Sequence, residues 1–219
     1  MSARASSRAR VLGRPRNLAL RVLWLYIGLI GFGVSLALLV QARLGLDPWD
    51  VLHQGIARRL GVPIGHIVIV VSIVVLLAWI PLRQRPGFGT LSNAVVVGLV
   101  VDAAIDVIPA PYALAPRLAM LMGAVLLNAV STGLYIGAGL GPGPRDGLMT
   151  GIAARGHSIR LARTLIEVSV LVVGITLGGT FGIGTVVYAV SIGPLVHVLL
   201  PRLTLAPRID KAPEEGRHA

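Results

Sequence analysis

Six apolar runs, each long enough to cross a bilayer, constrain this sequence more than any other feature. One membrane-spanning helix needs about 20 consecutive, mostly apolar residues. Hydrophobic residues make up 55% of the 219-residue chain and charged residues only 13%, about half the usual soluble fraction. A soluble domain of this length does not bury that much apolar surface. We therefore predict an all-α polytopic membrane protein with spans at 17–42, 62–82, 89–109, 115–139, 159–179 and 182–200.

The positive charges favour one orientation of these spans. The net charge is +11, and six arginines lie within the first 21 residues. Six crossings that start inside place 16 of the 20 Lys and Arg residues on the inner side, as the positive-inside rule requires. We expect a multi-pass protein of the bacterial cytoplasmic membrane, with the basic tail 1–16 and the tail 201–219 both in the cytoplasm. This charge distribution also speaks against a nucleic-acid partner.

An internal repeat relates the two halves of the chain. Residues 44–57 align with 140–153 at an offset of 96, and eight of the fourteen positions are identical. The identities include Gly, Pro and Asp, which a shared apolar composition does not align. Each copy contains three predicted crossings and one short polar segment, and an odd number of crossings inverts the second copy. We predict repeat 1 at 17–109 and repeat 2 at 113–200, inverted about an axis in the membrane plane.

The polar segment of each repeat predicts a short helix. Asp47 suits the N-cap and Pro48 the first helical position, and Gly143 and Pro144 take these places in the second copy. A helix start carries unpaired N–H groups and a partial positive charge. Two starts that face each other near the midplane form a site for an anion or carboxylate, which Arg145 reinforces.

Two placements of the short helices, residues 47–60 and 144–155, stay open. In the first placement both helices are re-entrant, and the spacing of the glycines just before residues 144–155, which permits close helix packing, favours it. In the second placement both lie in the membrane interface as amphipathic helices. In the second case Asp50 and Asp146 only cap their own helices. The re-entrant placement predicts a substrate site at Pro48, Asp50, Gly55, Pro144, Arg145, Asp146 and Gly151.

Ionisable residues within the spans are few, and each is expensive to insert. Asp102 and Asp106 share one face of the third span, and Arg163 and Glu167 share one face of the fifth. We assign ion or proton coupling to Asp102 and Glu167. The alternatives are an interfacial pair that reaches water for Asp102 and a self-paired salt bridge for Glu167.

The remaining polar and aromatic residues suggest structural roles. Hydrogen bonds between helices are expected from Asn93, Asn128, Ser131, Tyr188 and Ser191. Trp24, Trp49 and Trp79 lie near predicted interfaces and are expected to act as belt residues.

No motif points to catalysis or to a metal. The chain has no cysteine, its histidines lack metal-ligand spacing, and it contains no nucleophile elbow, zincin or P-loop motif. We expect no enzyme activity, no cofactor and no metal.

The segments LGLDPWDVL, LGPGPRDGLMTGIA and GIGTVVYAVSIGPLV resemble the YczE-like bacterial membrane proteins, which are grouped with YyaS and YitT. The resemblance covers about residues 17–200 and implies an integral membrane protein of about six helices. It implies no substrate, cofactor or catalytic residue.

Two functions fit these features. The first is a small-solute secondary transporter or permease, with a small and at least partly anionic solute between the two short helices. The second is a non-transporting scaffold or accessory subunit of an enzyme, in which the basic tail binds anionic lipid or an acidic partner.

Overall fold

The computed structural model describes residues 17–156 and 158–205, and these ranges contain helices and no strand. The predicted tail 1–16 and residues 206–219 of the predicted C-terminal tail lie outside the described residues. The described chain forms eight helices: α1 (Leu18–Ala42), α2 (Pro48–Leu60), α3 (Ile64–Leu82), α4 (Phe88–Val107), α5 (Leu114–Gly137), α6 (Pro144–Ala153), α7 (Ile159–Thr176) and α8 (Ile183–Leu203).

Within the described ranges, five helices are long and apolar enough to cross a membrane, namely α1, α3, α4, α5 and α8. This confirms the helical, polytopic part of the prediction. The predicted fifth span corresponds to α7, which has 18 residues and includes Arg160, Arg163 and Glu167. Its charges set α7 apart from the five apolar helices. Both short helices, α2 and α6, are present and too short to cross.

Helices α1 and α5 form the most extensive helix pair and run antiparallel. Arg21, in the first turn of α1, donates from Nε to the carbonyl of Ala138, just past the end of α5, at 2.7 Å. Arg117, in the first turn of α5, donates from Nε to the carbonyl of Ala42 at the end of α1, at 2.8 Å. Each arginine thus satisfies carbonyl groups that a helix end leaves unpaired.

The offset of about 96 residues between the two copies also relates main-chain hydrogen bonds that join the two halves of the chain. The Gly184 N–H donates to the Leu44 carbonyl at 2.7 Å, and the Gly89 N–H donates to the Leu140 carbonyl at 2.8 Å. The two acceptors lie 96 residues apart and the two donors 95 apart. The start of α8 therefore docks beside the end of α1, and the start of α4 docks beside the end of α5.

Polar contacts hold the buried centre of this bundle. Asn128 on α5 donates to the Ser35 hydroxyl on α1 at 2.9 Å and accepts from Tyr188 on α8 at 3.0 Å. The expected interhelical hydrogen bonds of Asn128 and Tyr188 are confirmed, whereas Asn93, Ser131 and Ser191 have no side-chain hydrogen bond among the described residues. The outward faces of the long helices carry exposed Leu, Ile and Val side chains, as lipid contact requires.

Candidate functional site

Helix α2 begins as its sequence predicts. Asp47 is the N-cap, and its Oδ1 accepts from the main-chain N–H of Asp50 at 2.9 Å, while Pro48 occupies the first turn. The helix ends at Gly61, whose positive φ of 67° closes the last turn. Within α2, Trp49, Asp50 and His53 are buried, so the first part of the helix lies inside the protein, whereas its last turn, residues 58–60, is exposed.

Helix α6 begins differently. Its N-cap is Gly143, which has no side chain to accept a hydrogen bond. Among the described residues, the main-chain N–H groups of Arg145 and Asp146 have no hydrogen-bond acceptor. The Asp146 carboxylate accepts instead from the hydroxyl of Tyr135 on α5, at 2.7 Å. The start of α6 is therefore left with free donors.

The two helix starts meet at one cavity of about 240 Å³, which Asp47, Pro48, Pro144, Arg145 and Asp146 help to line. Nη1 of Arg145 lies 3.4 Å from both carboxylate oxygens of Asp47, so an ion pair joins the two helix starts. This is the facing arrangement that the repeat predicts for these segments.

Aromatic rings surround the Arg145 guanidinium. Its central carbon lies 5.7 Å from the ring centre of Phe32 and 5.8 Å from that of Trp49, within the range of cation–π contacts. The Trp49 side chain is only 6% exposed, and its Nε1–H has no hydrogen-bond partner among the described residues. The cavity wall therefore contains a cation held between two aromatic rings.

The acidic residues at the start of α2 are both buried. Burial, with a further contribution from Asp50, raises the pKa of the Asp47 carboxyl to about 6, and the Arg145 guanidinium opposes this rise. Asp50 does not line the cavity and contacts Nδ1 of His53 at 2.9 Å through Oδ1. Asp47 therefore pairs with Arg145 at the cavity, whereas Asp50 pairs with His53 behind it.

Glu167 on α7 also lines this cavity, together with Arg163. Nε of Arg163 donates to Oε1 of Glu167 at 2.9 Å, which is the self-paired arrangement that the sequence offers as an alternative. Both side chains are partly exposed, Arg163 by 54% and Glu167 by 32%. Glu167 therefore lies at the cavity and also forms an ion pair with Arg163 on its own helix.

Asp102 lies elsewhere, at a second cavity of about 610 Å³ that Asp106 also lines. Its carboxylate accepts from the main-chain N–H of Gly65 at 2.7 Å and contacts Nδ1 of His66 at 3.0 Å. Asp102 therefore ties α4 to the start of α3 and is not at the cavity that Glu167 lines.

The two glycines of the predicted site have packing roles. A Cβ at Gly55 would lie 2.7 Å from the carbonyl oxygen of Gly174 on α7. A Cβ at Gly151 would lie 3.0 Å from Gln84 and 3.2 Å from Leu82. Neither glycine lines the first cavity. Each lets a short helix approach a helix from the other half of the chain.

Comparison with known proteins shows the family to which the chain belongs. Residues 19–201 match a family described as "Family of unknown function (DUF6198)". The chain belongs to DUF6198.

Other proteins resemble this DUF6198 chain over most of their length. An uncharacterized protein of Haemophilus influenzae is 38% identical over 207 residues, covering 94% of each chain. The uncharacterized membrane protein YczE of Bacillus subtilis is 31% identical, covering 85% of this chain and 88% of that protein. YyaS of Bacillus subtilis is 28% identical, covering 80% and 90%. The expected YczE-like family is thereby confirmed, and no solved structure matches.

Several cavity residues of this DUF6198 chain escape prediction from its sequence. No sequence pattern predicts that Phe32, Tyr135 and Tyr188 line a cavity, and they reach it because α1, α5 and α8 pack around it. The interpretation of Trp49 and Trp79 as belt residues is wrong, because both are buried. Trp79 donates from Nε1 to the carbonyl of Pro144 at 3.0 Å. The sequence does connect Trp49 with the predicted site, because Trp49 aligns with Arg145 in the repeat.

Proposed function

We propose that the chain is a small-solute secondary transporter or permease whose solute site lies between the starts of α2 and α6. One observation carries this proposal: both short helices direct their starts at a single cavity, close to Glu167 on α7. Helix starts at an interior cavity are a recurrent way to bind solutes in transporters. The proposal includes no catalytic activity and no cofactor.

The proposed architecture is a pair of inverted repeats with six crossings, in which α7 is the sixth. The reciprocal hydrogen bonds of Arg21 and Arg117 support it, because they exchange partners at matching positions of the repeat. A two-fold axis produces such reciprocity. Trp49 and Arg145, which align in the repeat, stack on each other, as residues next to that axis do.

The proposed placement of α2 and α6 is re-entrant. An interfacial amphipathic helix keeps its polar face in water. Helix α2 instead buries the polar residues Asp50, His53 and Gln54, and Gln54 accepts from the main-chain N–H of Thr180 at 2.7 Å. A helix with buried polar side chains on an internal cavity fits the re-entrant placement.

The proposed solute is small and at least partly anionic, and Glu167 and Asp102 are the proposed coupling residues. Their different cavities suggest different roles. Glu167 lies at the solute cavity, where its protonation changes the local charge. Asp102 lies at the cavity between α3 and α4. The bacterial cytoplasmic membrane, with both termini in the cytoplasm, is the proposed location.

Uptake and efflux in proteoliposomes test this function. The panel pairs a set of candidate small anions with Asp146→Asn and Glu167→Gln at the cavity and Asp50→Asn behind it. Arg85→Gln is the control, because Arg85 is exposed and lines neither cavity. We expect transport by the unaltered protein and by the control, and a loss with the cavity variants. Transport that is unchanged in all three variants would remove the proposed site.

The accessory-subunit function makes a different prediction for the basic tail. Deletion of residues 2–16 removes most of the N-terminal arginines and leaves the cavity unaltered. A transporter retains its flux after this deletion, whereas an accessory subunit that binds through the tail loses its association with the membrane enzyme.

A further inference from the structure

Two internal cavities of the chain are lined by matching positions of the repeat. The solute cavity, of about 240 Å³, lies beside α7 and α8, and a closed cavity of about 20 Å³ lies beside α3 and α4. The repeat offset is 96 before Leu60 and 95 after it. By this alignment, eight of the ten residues that line the closed cavity correspond to residues that line the solute cavity. Ser72 aligns with Glu167, for example, and Val97 aligns with Ile192.

A shared wall separates the two cavities. Trp49 and Arg145, which align with each other in the repeat, line both cavities, and so do Asn93 and Pro144. The Arg145 guanidinium lies 5.8 Å from the centre of the Trp49 ring, so these two side chains close the wall. A cavity as small as the closed one holds about one water molecule. Space for a solute therefore exists on only one side of the wall.

The closed cavity is small because α3 and α4 pack tightly against each other. A Cβ at Gly98 on α4 would lie 2.5 Å from the carbonyl oxygen of Gly65 on α3, so the two backbones approach closely there. The Asp102 carboxylate on α4 accepts from the main-chain N–H of Gly65 at 2.7 Å and contacts Nδ1 of His66 at 3.0 Å. Asp102 therefore holds the two helices together.

Helices α7 and α8, which are the repeat counterparts of α3 and α4, stand apart. Among the described helices, α3 packs along α4, whereas α7 and α8 make at most isolated contacts. Gly193 on α8 aligns with Gly98, but a Cβ at Gly193 would have nothing within 4 Å. The solute cavity lies in this gap, with Glu167 on the α7 side and Ile192 on the α8 side. The two repeats therefore hold equivalent helix pairs in two arrangements, one packed and one separated.

The two arrangements can exchange between the repeats. If α7 packed on α8 as α3 packs on α4, the solute cavity would close, and separation of α3 from α4 would open the closed cavity. One packed pair and one separated pair would remain, so the exchange conserves the main packing contacts. In transporters with inverted repeats, such movements of one repeat against the other surround a fixed solute site. A second state within a few kcal/mol of the first is populated to about 0.1–10%.

We propose that α3 and α7 exchange these arrangements, so that the closed cavity is the second opening of the solute path, and that Asp102 keeps this opening closed through Gly65 and His66. This inference rests on the proposed function in one respect, namely that the cavity between the short helices is the solute site.

Matched single cysteines report which cavity is open, because the chain has no cysteine of its own. Val97 and Ile192 are both buried, and they line the closed cavity and the solute cavity, respectively. The reaction rates of Val97→Cys and Ile192→Cys with a charged thiol reagent are measured on the full-length protein in lipid nanodiscs, where the reagent reaches both faces. We expect Ile192→Cys to react faster than Val97→Cys.

Asp102→Ala removes the contacts that hold α3 on α4. We expect it to raise the rate at Val97→Cys about tenfold, since one hydrogen bond to a charged group contributes about 1.5 kcal/mol or more. Asp106→Ala is the control, because Asp106 lies one turn further along α4 and has no hydrogen bond among the described residues. It should leave the rate unchanged.

Gly193→Ala is the decisive variant, because it acts on the other helix pair. The added methyl group meets nothing in the present arrangement, but in a packed α7–α8 pair it would take the crowded place of a Cβ at Gly98. Combined with Asp102→Ala, it should lower the rate at Val97→Cys by at least about fivefold, since crowding of this kind costs about 1–3 kcal/mol. Gly123→Ala on α5 is the matched control, because a Cβ there also has nothing within 4 Å.

No rise at Val97→Cys with Asp102→Ala overturns the proposal. A rise that Gly193→Ala leaves unchanged, or that Gly123→Ala lowers equally, also overturns it, because α3 then loosens independently of α7. If Asp102→Ala does not fold, Asp102→Asn, which keeps the size and removes the charge, replaces it under the same criteria. The two proposals fail separately. Coupled labelling without transport of any solute refutes the transporter and retains the exchange, whereas transport with uncoupled labelling does the reverse.

Discussion

Arg21 and Arg117 should contribute equally and independently to the stability of the fold. Both are half-buried, and each donates two hydrogen bonds to carbonyl groups at the end of the antiparallel neighbour. Substitution by Met keeps the aliphatic stem and removes the charge and every donor. We therefore expect Arg21→Met and Arg117→Met to lower the free energy of unfolding by similar amounts.

The size of this effect follows from the contacts. A hydrogen bond to a charged group contributes about 1.5–3 kcal/mol when buried, and a cation near a helix C-terminus adds about 0.3–1 kcal/mol. Partial exposure of both arginines reduces these values, because water replaces part of each lost interaction. We expect a loss of about 1–2 kcal/mol for each substitution. For a chain of this size, ~1 kcal/mol lowers the Tm by about 2–4 °C.

The losses should add in the double variant. The two arginines lie at opposite ends of the α1–α5 pair, and the 25 residues of α1 span roughly 37 Å at a rise of about 1.5 Å per residue. Sites that far apart add to within about 0.5 kcal/mol.

Thermal unfolding of the detergent-purified protein, followed by circular dichroism, measures all three variants. Arg85→Met is the matched control, since Arg85 is exposed and has no hydrogen bond among the described residues. A loss at one arginine that exceeds the other by more than about 1 kcal/mol would refute the reciprocal pairing, and so would no loss at either.

Three further predictions concern the short helices. Single cysteines at Arg58 and Ala154, both exposed and 96 positions apart, should react with impermeant thiol reagents from opposite sides of the membrane, and reaction from the same side would contradict the inverted repeats. Gly147→Ala should lower stability by about 1–3 kcal/mol, because the added Cβ would lie 1.9 Å from Trp79, and Trp79→Phe should relieve part of the loss in the same unfolding assay. Asp47→Ala should cost about 2–4 kcal/mol, since it removes a helix cap and leaves Arg145 unpaired, and a loss below about 1 kcal/mol would show that the ion pair does not stabilise the fold.

The sequence predicts those features of the site that depend on neighbouring residues. The N-cap at Asp47 and the helix start at Pro48 follow from local backbone chemistry, and the structure reproduces both. The repeat likewise indicates that Pro48 and Pro144 occupy corresponding places. None of this requires knowledge of how the long helices cross.

Contacts that depend on helix crossings are not predictable in this way. Gly174 on α7 packs closely against Val51 on α2, and Trp79 on α3 packs closely against Gly147 on α6. In the repeat Val51 aligns with Gly147, and Trp79 aligns with Gly174. The large and small partners have exchanged places between the two contacts, so each fits its own neighbour. In an alignment of the two copies, both of these pairs of positions are mismatches. In the structure each large residue packs against a small one, so the two differences compensate for each other.

The two copies of the repeat differ in charge at the cavity but not at the arginines that join α1 and α5. The supporting arginines Arg21 and Arg117 are identical in type and contact equivalent carbonyls. At the cavity, Asp47 aligns with a glycine, and Arg145 aligns with a tryptophan. Two identical helix starts would place like charges, or no charge, on both sides of the cavity. The carboxylate of Asp47 on one start and the guanidinium of Arg145 on the other instead form an ion pair across it, so the difference between the copies joins the two halves of the chain.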